Sequence, residues 1–395
     1  MNDIVSIRKM APLPDAAASC GLGAAGDGCS GSTEIWSEDF FFGGNDKSLA
    51  VRCEVRARSN AVLTKWREAA CIIMKFRLGR RMLPFKLIYS DDYFLPIGSH
   101  VFPAEKYKRV HDRLLAARVA EASDFVAPRP ASDEDILLVH TSRYVEKLKT
   151  GTLSAPEELA MEIPYSLELV QAFWLAAGGS MLAADYAISD GVAINIGGGF
   201  HHAFPDHGEG FCMINDVAVA IRCMQRGGKI RTAMTIDCDV HHGNGTAAVF
   251  APVSAAEVPR TGKPSDVFTI SLHQENNYPA FKPPSSLDIN LPDGVKDAEY
   301  LARLGDAFST GLSKITPELI CYVAGADPYF DDQLGGLSLT IEGLKQRDAL
   351  VFQLAKAEGI PVMVTFAGGY ARKLEDTVTI HSNTIVAAKE VFTGK

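Results

Sequence analysis

Five short apolar runs, each ending in a cluster of glycine, histidine or aspartate, constrain this chain more than any other feature. They occupy residues 192–196, 232–236, 267–272, 319–324 and 361–366. Such runs are shorter than an ordinary helix, and their predominantly apolar text suits strands buried on both faces. Between and after them, 214–226, 243–250, 297–313, 341–358 and 375–393 read as helices. Apolar strands alternating with amphipathic helices predict an α/β domain with a mainly parallel central sheet covered by helices on both faces. Upstream, 85–89 reads as a strand, 104–121 and parts of 132–149 as helices, and 165–189 as a long apolar helix interrupted at Gly178-Gly179. No repeat and no linker breaks 82–395, so one domain is expected there.

Charge marks a boundary near residue 81. Residues 1–81 hold 12 Lys+Arg and 9 Asp+Glu, a net of +3, so the overall −9 leaves −12 on residues 82–395. Within 48–81 there are 9 basic residues and only Glu54 and Glu68 against them. The first 81 residues are therefore read as a poorly ordered or appended segment, flexible over 10–47, with a basic stretch at 48–81 and a short basic helix over 61–78. Gly21-Leu22-Gly23-Ala24-Ala25-Gly26 has the spacing of a dinucleotide loop, but no strand precedes it and Asp27-Gly28 follows it, so no such site is expected. An acidic body argues against direct nucleic-acid binding. The eight cysteines are scattered without a CxxC pair, as for reduced thiols in a cytoplasm, or a nucleus if the source is eukaryotic. No run of about 18 apolar residues predicts a membrane span, and no basic start followed by an apolar core predicts a signal peptide.

Ligands of open α/β sheets bind beyond the C-terminal ends of the strands. Those ends carry Gly197-Gly198-Gly199-Phe200-His201-His202, then Asp237 through Gly245, Ser271-Leu272-His273, Gly325-Ala326-Asp327, and Gly368-Gly369-Tyr370. Asp237-x-Asp239-x-His241 alternates along an extended segment and presents three side chains to one face. Asp239 and His241, joined by Asp327 from another strand end, make a three-ligand set for Zn²⁺, with Fe²⁺ acceptable, that leaves room for water and substrate. Amide hydrolysis also needs a base for water and an acid for the leaving amine, and His201 and His202 are candidates for both. Asp237 and Asn244 are available to orient them. A charged partner raises a histidine's basicity and a neutral amide does not, so the pair could differ. Tyr370 could donate to a developing oxyanion. Gly210-Phe211 and Tyr278 could wall a narrow apolar channel.

These residues resemble the histone deacetylases of the arginase–deacetylase superfamily. The matching text is Gly-Gly-Gly-Phe-His-His (197–202), Gly-Glu-Gly-Phe-Cys (208–212), Ile-Asp-Cys-Asp-Val-His-His-Gly-Asn-Gly (236–245), Ala-Gly-Ala-Asp (324–327), Leu-Gly-Gly-Leu-Ser (334–338) and Gly-Gly-Tyr (368–370). The first of these, Leu-Gly-Gly-Leu-Ser and Asn244 are most similar to class IV enzymes and their bacterial relatives. The resemblance implies zinc on Asp239, His241 and Asp327, with His202 as general base and His201 electrostatic or acidic. It implies Asp237 orienting His201, Asn244 paired to His202, Tyr370 polarising the carbonyl, and Phe211 along the acyl-lysine channel. Asp237, Asp239, His241 and Ser271 would match a structural potassium site. The implied reaction is hydrolysis of an Nε-acyl-lysine amide in proteins, acetyl or longer; the alternative is deacetylation of small amines such as acetylpolyamines. The acidic rim that grips substrate in other classes has only Asp91 and Asp92 as candidates. An arginase-like two-manganese site would want a carboxylate where Asn244 stands, and a catalytically dead scaffold is opposed by the intact set of site residues. Oligomeric state is left open.

Overall fold

The computed structural model describes residues 82–251 and 266–393, together with the backbone of three N-terminal strands, β1 (Val5–Arg8), β2 (Glu34–Phe41) and β3 (Ala50–Ala57). The chain divides into two compact units, residues 1–80 and 81–395. In the first, β3 pairs antiparallel with both β1 and β2. This corrects the reading of 10–47 as flexible throughout, because β2 lies within it. The signal for a strand was in its partner: Val51, Cys53 and Val55 alternate with Arg52, Glu54 and Arg56. The expected helix over 61–78 and the glycine motif at 21–26 lie outside the described residues.

In the second unit the apolar runs become strands because helices cover both of their faces. The strands are β4 (Lys86–Ile88), β5 (Phe125–Val126), β6 (Val192–Asn195), β7 (Ala233–Asp237), β8 (Val267–Gln274), β9 (Leu287–Leu291), β10 (Ile320–Val323) and β11 (Val362–Thr365). Every residue of β6, β7, β10 and β11 is buried. The sheet runs β5-β4-β6-β11-β10-β7-β8-β9, and every pairing is parallel. Strands β5 and β9 at its two edges escaped the sequence reading, the one for its two-residue length and the other for its half-exposed, polar-interrupted text.

The helices are α1 (Lys106–Ala116), α2 (Asp133–Ile136), α3 (Ser142–Thr150), α4 (Ala155–Met161), α5 (Leu167–Asp190), α6 (Asp216–Arg226), α7 (Asn244–Phe250), α8 (Asp297–Lys314), α9 (Ile341–Ala357) and α10 (Leu374–Thr393). Helix α5 is long and apolar enough to cross a membrane by length and composition, but 14 of its 24 residues are buried inside the fold, which marks a core helix. It runs unbroken through Gly178 and Gly179, correcting the expected interruption. The glycines serve close approach instead. A Cβ at 178 would lie 1.8 Å from the Arg129 carbonyl oxygen, and one at 179 would lie 1.9 Å from the Tyr93 hydroxyl.

One buried cation ties the strand ends together. Arg347 of α9 is fully buried and donates from Nη1 to the carbonyls of Gly325 (2.6 Å) and Cys238 (3.2 Å), just beyond β10 and β7. Its Nη2 pairs with Asp348 at 2.8 Å. Arg347→Met should lower stability by about 3–5 kcal/mol, because it leaves the buried Asp348 uncompensated. Denaturant unfolding checks this, and an unchanged midpoint would contradict it.

Candidate active site

Sheet order brings the chemistry together. Strands β6, β11, β10 and β7 are neighbours, so the loops carrying His201 and His202, Tyr370, Asp327, and Asp237 through Asn244 open side by side at one edge. Asp239, His241 and Asp327 are buried, and each offers a ligand atom within 4.8 Å of the others. His241 Nδ1 lies 2.9 Å from Asp239 Oδ1 and 3.4 Å from Asp327 Oδ2. The other carboxylate oxygens are held by backbone: Gly368 N donates to Asp239 Oδ2 at 2.8 Å, and Val240 N donates to Asp327 Oδ1 at 2.9 Å.

These residues fit a divalent cation. Asp327 Oδ2 is buried without a hydrogen-bond partner, which is costly for an ionised oxygen unless a cation meets it. A Cβ at residue 368 would lie 1.9 Å from that atom and 2.7 Å from Asp239 Oδ2, so the glycine keeps the space between the carboxylates clear. The electrostatics of these side chains agree. Burial, and then the charge of Asp239, push Asp327 up to about 7. Burial pushes His241 down, yet the two carboxylates carry it up to about 10, so a proton on His241 stands where a cation would.

The histidine pair sits beside this set, ring centroids 4.1 Å apart. His201 Nδ1 donates to Asp237 Oδ2 at 2.6 Å. Burial opposes its charge, but Asp237 and Asp239 raise it to about 9. His202 Nδ1 meets Asn244 Oδ1 at 2.6 Å. Burial, reinforced by His201 and His241, holds it well below 6.5. Asn244 cannot present its amide the other way, because its Nδ2 donates to Glu209 Oε1 at 2.7 Å. His202 therefore carries its proton on Nδ1 and keeps Nε2 free as an acceptor. The pair divides into a cation and a neutral base through its two different partners.

Glu209 was missed by the sequence reading. It also accepts from the Tyr278 hydroxyl at 3.1 Å and faces His207 Nε2 at 3.6 Å. Glu209→Ala is expected to lower kcat about 10–100-fold, as loss of an orienting partner does. Steady-state kinetics check this, and full turnover in the variant would remove Glu209 from the relay.

Tyr370 follows Gly369, whose φ of 149° suits glycine, and its backbone is pinned by Asp332 Oδ2 (2.7 Å). Burial, and then Asp239 and Asp327, keep its hydroxyl well above 10, so it remains a proton donor. Lys106 of α1, also missed, is fully buried, donates to the Ala367 carbonyl at 2.6 Å, and stacks 4.4 Å from the centre of Phe102. Phe102, Phe211, Tyr278, Leu334 and Tyr370 wall a pocket of about 730 Å³, counting its open mouth, that descends to His201, His202, Asp239 and His241. Gly210 and Phe211 both have left-handed backbone, φ 51° and 68°. The strain at Phe211 is held by hydrogen bonds from the Gly210 and Phe211 amides to the carbonyls of Ala160 and Met161, at the end of α4, a helix the sequence reading left out. Glu162, and not Asp91 or Asp92, lines the pocket. The latter two are exposed in the short 3-10 turn that follows β4. Ser271 lies beside Asp237 in the β7–β8 register.

The chain is similar to known proteins over most of its length. Residues 100–385 match the histone deacetylase domain. The chain is 37% identical over 309 residues to an uncharacterised protein of Picosynechococcus, covering 78% of this chain and 99% of that one. It is 32% identical over 309 residues to histone deacetylase 2 of Arabidopsis thaliana, covering 74% and 77%. It is 30% identical over 283 residues to the acetoin utilization protein AcuC of Bacillus subtilis, covering 68% and 72%. In fold it is similar to the crystal structure of an HDAC homolog from Aquifex aeolicus, with a TM-score of 0.62 and 24% identity over 78% of this chain and 88% of that one. The chain belongs to the histone deacetylase family, metal-dependent hydrolases of amides in the arginase–deacetylase superfamily.

Proposed function

We propose that this protein is a zinc-dependent lysine deacylase of the class IV type, hydrolysing the Nε-acyl amide of lysine in proteins. The observation that carries this reading is the division of the histidine pair beside a three-ligand metal set, at the foot of a pocket walled by aromatics. Held by Asp239, His241 and Asp327, Zn²⁺ supplies Lewis acidity for an amide carbonyl and for water. His202 Nε2 takes the proton of the attacking water and later delivers it to the leaving amine nitrogen. His201, kept cationic by Asp237, stabilises negative charge as it develops. The Tyr370 hydroxyl donates to the carbonyl oxygen in the transition state, where it becomes an oxyanion. Phe211, Gly210 and Tyr278 enclose the alkyl chain of the lysine and exclude water. Asp237, Asp239, His241 and Ser271 would hold a structural K⁺ beneath the site, and a cytoplasmic setting suits the four free, buried cysteines among the described residues.

The second reading, deacetylation of a small acetylated amine, is favoured by one observation: Glu162 puts a carboxylate on the pocket wall, where a second ammonium group of a polyamine could pair with it. Purified enzyme assayed on acetyl-lysine peptide, myristoyl-lysine peptide and acetylated polyamine decides between the two. The proposal expects the larger kcat/KM on an acyl-lysine peptide; a polyamine preferred tenfold or more would overturn it.

A further inference from the structure

A second cluster of metal-ligating side chains lies beside the active site and shares no residue with it. His242 comes from the turn after β7, His273 from β8 and Asp288 from β9. Their ligand atoms lie within 4.8 Å of one another. His241 and His242 are consecutive, and one imidazole joins the catalytic set while the other packs edge to face on His273.

The details are those of a ligand set. His242 Nε2 lies 3.1 Å from Asp288 Oδ1. Two ligands bound about 2.0–2.1 Å from a tetrahedral zinc stand about 3.3 Å apart, so little adjustment separates the observed spacing from that geometry. The rings of His242 and His273 meet edge to face, centroids 4.5 Å apart, and both residues are fully buried. His273 Nδ1 is engaged by Ser271 Oγ at 3.0 Å, which leaves His273 Nε2 buried with no hydrogen-bond partner. An imidazole whose far nitrogen is oriented by a neighbour and whose near nitrogen is unpaired is the usual condition of a metal ligand, and an unusual one for a histidine that only packs. Asp288 is prepared in the same way: its second oxygen accepts from Ser285 N at 3.0 Å, leaving Oδ1 toward the cluster. The Ser285 hydroxyl, 3.3 Å from His242 Nε2, is a further oxygen at the rim. The side chain of Asp288 is 25% exposed, which gives an ion a path from solvent.

We propose that His242, His273 and Asp288 form a second metal site of structural character, for Zn²⁺ or a metal of similar preference. Two imidazoles and one carboxylate suit a borderline transition metal and not Mg²⁺ or Ca²⁺, which take oxygen sets. An ion there joins β8 and the edge strand β9 to the turn that leads from the catalytic ligands. It also braces the pocket wall, because His242 N donates to the carbonyl of Tyr278 at 3.4 Å.

The test counts metal and does not depend on activity. Full-length protein is stripped with chelator, reloaded with excess Zn²⁺, desalted and analysed for zinc per chain. The inference expects two equivalents in the parent protein and one in His273→Gln, in Asp288→Asn and in Asp327→Ala, with a second anomalous zinc peak between His242, His273 and Asp288 in crystals of the parent. Should His273→Gln fail to fold, Asp288→Asn at a partly exposed position and the anomalous peak still decide whether the site exists. One equivalent in the parent, with no peak at the cluster, would overturn the second site and leave the catalytic assignment untouched. Two equivalents that persist in a folded Asp288→Asn or His273→Gln protein would overturn the ligand set.

Discussion

Replacing His202 with alanine should lower kcat by about 10³–10⁴, near the upper end of what a positioned general base contributes. The expectation rests on the state of that ring. His202 is buried, held far below its ordinary basicity, and locked by Asn244 so that Nε2 alone can take a proton. The Asp327, His241 and Asp239 set is built from other side chains, so metal content should stay at the parent level while turnover falls. Steady-state kinetics together with metal analysis check both halves. Turnover within threefold of the parent would show that another group carries the proton.

Tyr370→Phe should lower kcat by about 10²–10³ with KM little changed, the usual loss of one oxyanion donor. Phenylalanine keeps the ring packing against Phe102 and Phe211, whose centroids lie 6.1 and 6.0 Å away, so only the hydroxyl is removed. An effect confined to KM would mean that the hydroxyl binds the ground state and transition state equally. Unchanged kinetics would remove Tyr370 from the reaction.

The chemistry of this site was legible in sequence wherever it sat directly behind an apolar run. Asp237, Asp239 and His241 follow β7, His201 and His202 follow β6, Asp327 follows β10 and Tyr370 follows β11. Periodicity locates such ends, because a doubly buried strand has to stop where polar residues begin. It does not give the order of strands across a sheet. That β6, β11, β10 and β7 are adjacent, and so unite four loops distant in sequence, follows from crossovers that no local pattern encodes. Glu209, Lys106 and Glu162 escaped for a related reason. Each acts from outside a strand end, and its meaning lies in a contact made across the fold, such as Glu209 with Asn244 35 residues away or Lys106 with the Ala367 carbonyl 261 residues away. The Gly178-Gly179 pair misled because a glycine chosen for close packing and one chosen to break a helix look the same in text; only the neighbours at 129 and 93 tell them apart.

The central claim is that the buried Asp239, His241 and Asp327 set makes this protein a metal-dependent deacylase. The most direct measurement follows acetate release from an acetyl-lysine peptide by chelator-stripped protein as Zn²⁺ is added back. The account predicts turnover near zero in stripped protein, restored as zinc is bound, and no restoration in Asp327→Ala. Full turnover in protein shown to hold no metal would contradict it.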